Sequence, residues 1–258
     1  MTLAVHAELT KLRTLAGSLW LLLAAVALTV AAGAAADSSA AYTAFGAPQD
    51  TTEISLAGVY VGQALIAALA VLAVGSEYST GMIQSTLVAV PRRCTMLAAK
   101  AVVLVGAVLP AATVGVLCSL LAGRLILPRG GFTPAHGYAP LSLADGSTLR
   151  AVAGSVIYLV LIALLSLGVA TAVRDSATAI GIVLGLLFMF PVVAATVTET
   201  DWQRRLHEIA PMTAGLYIQA TVGVDNLPIT PWQGLGVLAA WAAGGLAVGG
   251  LTLRLRDA

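Results

Sequence analysis

Few residues in this chain have the type and spacing that chemistry would need. The lysines are Lys11 and Lys100, followed by Leu12 and Ala101, and neither follows the glycines of a GxxxxGK[ST] loop. Such a loop cradles nucleotide phosphates with backbone amides and one Lys, so the chain has no phosphate loop of its own. His6, His136 and His207 stand alone, far from the HExxH spacing that sets two imidazoles on one face of a helix around zinc. Cys94 and Cys118 have no His nearby and fall at different depths, which excludes a metal pair and argues against a disulfide. No Ser within an apolar run has a His or Lys beside it to activate it as a nucleophile. The polar side chains left inside apolar runs are neutral; Tyr60, Gln63 and Tyr158 are the candidates for lining a solute pathway. The chain is expected to be no enzyme and to bind no cofactor.

The elements that must position these residues are six stretches without a charge: 14–36, 54–76, 101–123, 151–173, 176–198 and 226–253. A hydrocarbon core about 30 Å thick needs roughly 20 residues at about 1.5 Å each, so every stretch is long enough to span. Composition agrees: 59% of residues are hydrophobic and 10% charged, against about 25% charged in soluble domains. Carriers driven by ion gradients place ionisable groups at mid-membrane despite the cost, and these stretches offer none. Any work done is expected to draw its energy from elsewhere. Residues 1–258 read as one membrane domain.

An even number of spans puts both termini on one side. With the termini inside, Lys11, Arg13, Arg92, Arg93, Lys100, Arg174, Arg254 and Arg256 are cytoplasmic, and Arg124, Arg129, Arg150, Arg204 and Arg205 external. Eight against five favours that orientation. Cleavage after Ala34-Ala35-Ala36 would leave five spans, and the first apolar run exceeds the roughly 7–15 residues of a signal segment, so a retained helix is expected. The preference for Arg over Lys, with abundant Ala, Gly and Val, suits a GC-rich bacterial genome, hence a bacterial cytoplasmic membrane.

Between and before the spans, four segments have character. Val5, Leu9, Leu12 and Ala16 recur at helical spacing and predict an amphipathic helix on the inner leaflet, a frayed cytoplasmic tail being the alternative on pattern alone. The link 37–53 is small, polar and external, and 123–150 is a Pro- and Gly-rich external loop. The apolar stretch 209–224 is too short to span and reads as a re-entrant or interfacial segment, with Trp202 and Trp232 as interfacial anchors. The cytoplasmic loop 76–100 holds Met82, Ile83 and Leu87 in helical register, ended by Pro91 before Arg92 and Arg93. Apolar side chains on a cytoplasmic loop need cover, from the membrane domain or from a partner. Pro110 and Pro191 lie inside spans, where packing is the favoured reading, and GxxxG spacings fall at Gly58/Gly62, Gly181/Gly185 and Gly245/Gly249.

The run Glu77-Tyr78-Ser79-Thr80-Gly81-Met82-Ile83, then Leu87, Pro91-Arg92-Arg93 and Lys100, resembles the first cytoplasmic loop of ABC-2 type permeases. Glu8 to Arg13, Val173 to Ile180 and Pro211 to Gly215 resemble other parts of that family, so the likeness follows essentially the whole chain. It departs at Met82, where Thr or Ser is usual, and near Gln84, where a basic residue is. The resemblance implies an all-α, six-span permease whose loop 77–87 is a coupling helix docked on a separate cytoplasmic ATPase carrying ATP and Mg. It further implies a homo- or heterodimer of permeases that moves its substrate outward. The other readings are a passive channel or secondary carrier for a neutral solute, and a non-transport scaffold or immunity protein. None involves nucleic acid.

Overall fold

The computed structural model describes residues 16–44, 48–79, 93–197 and 199–255. Among them every regular element is helical, and six helices are long and apolar enough to cross a membrane. In chain order these are α1 (Ala16–Ser39), α2 (Thr51–Leu56) continued after a turn by α3 (Val59–Ser79), α4 (Arg93–Ile126), α5 (Gly146–Val173) and α6 (Ser176–Thr196). Two short helices follow, α7 (Thr200–Ile209) and α8 (Pro211–Leu216), before the last long helix α9 (Pro231–Leu255). The predicted amphipathic helix ahead of the first span lies outside the described residues.

The helix α5 is the hub, buried along most of its length and packed against α9, α3, α4 and α6. Its ends are set locally. Asp145 accepts the Thr148 N–H at 3.1 Å and caps the first turn, while Arg174 takes a left-handed conformation (φ 64°) and returns its N–H to the Ala170 carbonyl. Asp175 then caps α6 through the Thr178 N–H at 2.8 Å, so the chain reverses between two spans on two residues. Hydrogen bonds to the capping oxygens hold both carboxyls below their usual range: those of Ser147 and Thr148 for Asp145, those of Thr178 for Asp175.

Glycine decides which helices touch. A Cβ on Gly58 or Gly62 would run into Thr29 of α1, and one on Gly168 would overlap the backbone at Gly245. Two of the three GxxxG spacings are therefore spent inside the chain, α3 on α1 and α9 on α5. Gly181 and Gly185 meet nothing within 4 Å.

Several boundaries differ from the sequence expectation. The third span runs from Arg93 to Ile126 rather than 101–123, and the sixth begins at Pro231 rather than 226, the residues Val224–Asn226 forming a 3-10 turn. The segment 123–150 is only partly irregular: α4 extends into it, 3-10 turns occupy Leu127–Gly130 and Pro134–His136, and α5 begins at Gly146. Pro110 and Pro191 sit within α4 and α6 without ending them. These longer helices carry charge into the bundle near their ends. Lys100 is 5% exposed on α4, and Asp37, assigned by sequence to a polar external link, is 1% exposed on the last turns of α1. Charge-free windows mark where a helix must be apolar, not where its backbone stops.

Candidate functional site

Of the residues singled out for the cytoplasmic loop, Glu77 and Tyr78 fall on the last turn of α3 and Arg93 opens α4. Gly81, Met82, Ile83, Leu87, Pro91 and Arg92 lie outside the described residues. The two helices that flank the loop end on the same side of the bundle as the α5–α6 turn: a Cβ on Gly75 of α3 would strike Ser176, the first residue of α6.

The pathway candidates divide. Gln63 and Tyr158 are fully buried and face each other: the Tyr158 hydroxyl donates to Gln63 Oε1. The Gln63 side-chain amide also donates to Met212 Sδ at 3.0 Å. Tyr60, one turn earlier on α3, is 44% exposed and outside this cluster of hydrogen bonds. In a dry interior each amide and phenol needs a partner, and these supply one another instead of facing an opening.

Met212 enters this cluster because the segment after α7 folds into the bundle. Gly215 sits on the Tyr158 ring, where a Cβ would lie 2.7 Å from a ring carbon, and Ile218 packs on Gly154. The Gln219 side-chain amide donates to Ser155 Oγ at 3.0 Å, and the Arg150 guanidinium donates to the Ala220 carbonyl. The segment thus climbs antiparallel to α5, from Tyr158 back to Arg150. Tyr158 stands 12 residues beyond Gly146, so the low point lies about 18 Å along the helix from its start. The apolar stretch 209–224 is therefore a short helix and a 3-10 turn, Tyr217–Gln219, packed among α3, α5 and α9.

At the rim one carboxylate fastens the segment. Asp50 Oδ1 accepts the Thr52 and Glu53 N–H groups, each at 3.1 Å, and so caps α2. The same carboxylate accepts the Thr221 N–H, the Thr221 hydroxyl at 2.7 Å and the Val222 N–H at 2.9 Å. Nearby, Asp37 Oδ1 accepts the Ser55 hydroxyl at 2.9 Å, while Asp37 Oδ2 is buried without a hydrogen-bond partner. A polar cleft of about 480 Å³ opens beside this rim, bordered by Gln49, Thr52, Tyr138, Asp145 and Thr221. Tyr42 stacks on His136 at 4.3 Å on its wall.

The sequence reading missed Asp37, Asp50, Arg150, Met212 and Gln219. A signal was available for Asp50 alone: Asp followed by Thr-Thr-Glu is a helix-start pattern. It also missed α7, where Trp202 is exposed, Arg204 pairs with Glu208 at 3.1 Å and the Tyr217 hydroxyl lies 3.4 Å from His207 Nδ1. Among the described residues no group of three or more His, Cys, Asp or Glu side chains is arranged to hold a metal. No protein-family model matches the chain, and no characterised protein matches it significantly in sequence.

Proposed function

We propose that this chain is the permease subunit of an ATP-driven exporter of the ABC-2 type, working as a dimer on separate cytoplasmic ATPase subunits. What carries the reading is the ordered run from Glu77 to Arg93 between the second and third of six membrane-length helices. The ATPase stroke enters through residues 77–87 and reaches the membrane through α3 and α4, whose ends meet this loop. The segment from α8 to Gln219 is the re-entrant element on the opposite face. A neutral-solute channel through Gln63 and Tyr158 is the weaker reading, because both side chains are enclosed and occupied with each other.

Met82 and Ile83, covered by a partner groove, would contribute roughly 1.5–3 kcal/mol each. The Met82→Asp, Ile83→Asp double variant should lose that burial and bring unpaired carboxylates into the contact. Pull-down of the ATPase should fall while membrane insertion persists. Glu77→Ala should leave the complex assembled but uncouple ATP hydrolysis from transport in reconstituted vesicles. Normal assembly and transport by the double variant would remove this loop as the coupling element.

A further inference from the structure

We propose that Asp37 is a proton-binding site: its carboxyl group sits in the closed bundle as the neutral acid, donates to Ser55, and releases its proton only as the junction of α1, α2 and α4 loosens. The inference goes beyond the transport reading and is independent of any ATPase.

Asp37 is the only charged residue of α1 and is 1% exposed. Gly33, one turn earlier, and Gly123 of α4 let α2 press in beside it. A Cβ on Gly33 would lie 2.8 Å from the Ser55 carbonyl oxygen, and one on Gly123 would strike Ser55 Oγ and lie 3.2 Å from Asp37 Oδ2. Asp37 Oδ1 stands 2.9 Å from Ser55 Oγ, while Oδ2 has no hydrogen-bond partner. Asp50 at the rim is served differently: it collects five donors, the N–H groups of Thr52, Glu53, Thr221 and Val222 and the Thr221 hydroxyl. An ionised carboxylate has about four lone-pair sites to fill. Asp37 has one hydroxyl beside it.

That hydroxyl is itself contested. Ser55 Oγ also stands 2.9 Å from the Thr51 carbonyl, and a hydroxyl has one proton to give. With a proton on Asp37 Oδ1 both contacts are made: the acid donates to Ser55 Oγ, and Ser55 donates to the Thr51 carbonyl. Oδ2 is then a neutral carbonyl oxygen, far less costly to bury unpaired than part of a carboxylate charge. No counter-charge takes the proton's place. The titratable or charged groups at this end of the elements packed on α1 are Glu53 of α2 with its cap Asp50, Tyr60 of α3, Cys118 and Arg124 of α4, and Arg129 of the turn Leu127–Gly130. Glu53 and Asp50 are acids, both arginines are exposed, and among the described residues neither arginine pairs with Asp37. A chamber of about 60 Å³ reaches from the loop at Thr133 to Thr51 and Gly123 at the same junction. It has room for about two waters at roughly 30 Å³ each, which would deliver the proton and take it up on release.

Infrared spectroscopy of the purified full-length protein in mild detergent, compared with Asp37→Asn, reads the proton directly. At about pH 6, where an ordinary Asp carboxyl is about 99% ionised, the expected difference is one carboxylic-acid C=O band that Asp37→Asn lacks. Ser55→Ala removes the acceptor and should move that band to higher frequency, a readout that does not depend on the Asn variant folding. A group that holds its proton in the folded state and gives it up on unfolding adds stability that is full in acid and falls as pH rises, by up to about tenfold in the folded-to-unfolded ratio per pH unit. The thermal midpoint of the wild type should therefore fall relative to Asp37→Asn between about pH 5 and pH 8, opposite in sign to the capping carboxyls of Asp145 and Asp175. Absence of the band, or a midpoint difference that does not change with pH, would overturn the proposal. So would a band that appears only in Arg124→Gln, which would mean that Arg124 neutralises an ionised Asp37. Stabilisation by sodium over choline in place of the band would make the ligand a metal cation and overturn it too.

Discussion

Asp50 and Thr221 are 171 positions apart, yet the Thr221 hydroxyl and N–H both donate to the one Asp50 carboxylate. That carboxylate also caps α2, so the start of the second span and the end of the segment leading to the sixth share a single anchor. Removing it should free both.

Asp50→Ala is expected to destabilise the fold by about 1.5–3 kcal/mol, the scale of hydrogen bonds to a charged group. The effect should be largest in 217–222. Amide exchange in these residues should accelerate, and a Cys at 221, in a background lacking Cys94 and Cys118, should become more reactive to an impermeant thiol reagent. Unchanged exchange at 221 and 222 would show the anchor to be idle.

Tyr158→Phe leaves Gln63 Oε1 buried without its donor, at a cost of about 1–3 kcal/mol. Gln63→Leu alone strands the Tyr158 hydroxyl by the same logic. The double variant should be less destabilised than the sum of the singles, since both stranded groups are then gone. Thermal unfolding in detergent across the four proteins reads the coupling.

Gly58→Ala and Gly62→Ala should each force α3 away from Thr29 and lower stability, whereas Gly181→Ala and Gly185→Ala should leave the isolated protein unchanged because open space surrounds them. Overpacking of this sort costs about 1–3 kcal/mol. Equal effects at all four glycines would contradict the packing described.

The depressed carboxyls of Asp145 and Asp175 give a pH dependence with a defined sign. A group whose folded pKa is lowered adds stability above its unfolded value, ordinarily 3.8, and loses it as pH falls through the folded value. The first turns of α5 and α6 should therefore fray only under acid, below about the ordinary Asp range. Asp145→Asn and Asp175→Asn, which keep a capping oxygen without the charge, should flatten that response when helix-end exchange is followed from neutral to acid pH.

Topology is testable on the same cysteine-free background. A Cys at 136, where the side chain is exposed, should react from outside the cell, and one at 84 only after permeabilisation. Reaction at 84 in intact cells would invert the orientation.

Six membrane-length helices and the order of the links between them were legible in the sequence, because hydropathy over about 20 residues is a local sum that needs no partner. The buried contacts were not. Gln63 and Tyr158 looked like two neutral groups free to line a path, and only packing shows that they satisfy each other, with Met212 arriving from a segment 149 residues beyond Gln63. Asp37 and Lys100 read as polar residues of the links, and only the extra turns of α1 and α4 enclose them. The helix α7 escaped notice because its charged and apolar residues are interleaved, giving no charge-free window. The sequence by itself determined which stretches must leave water; which polar group answers which inside the bundle depends on how helices far apart in the chain come to lie side by side.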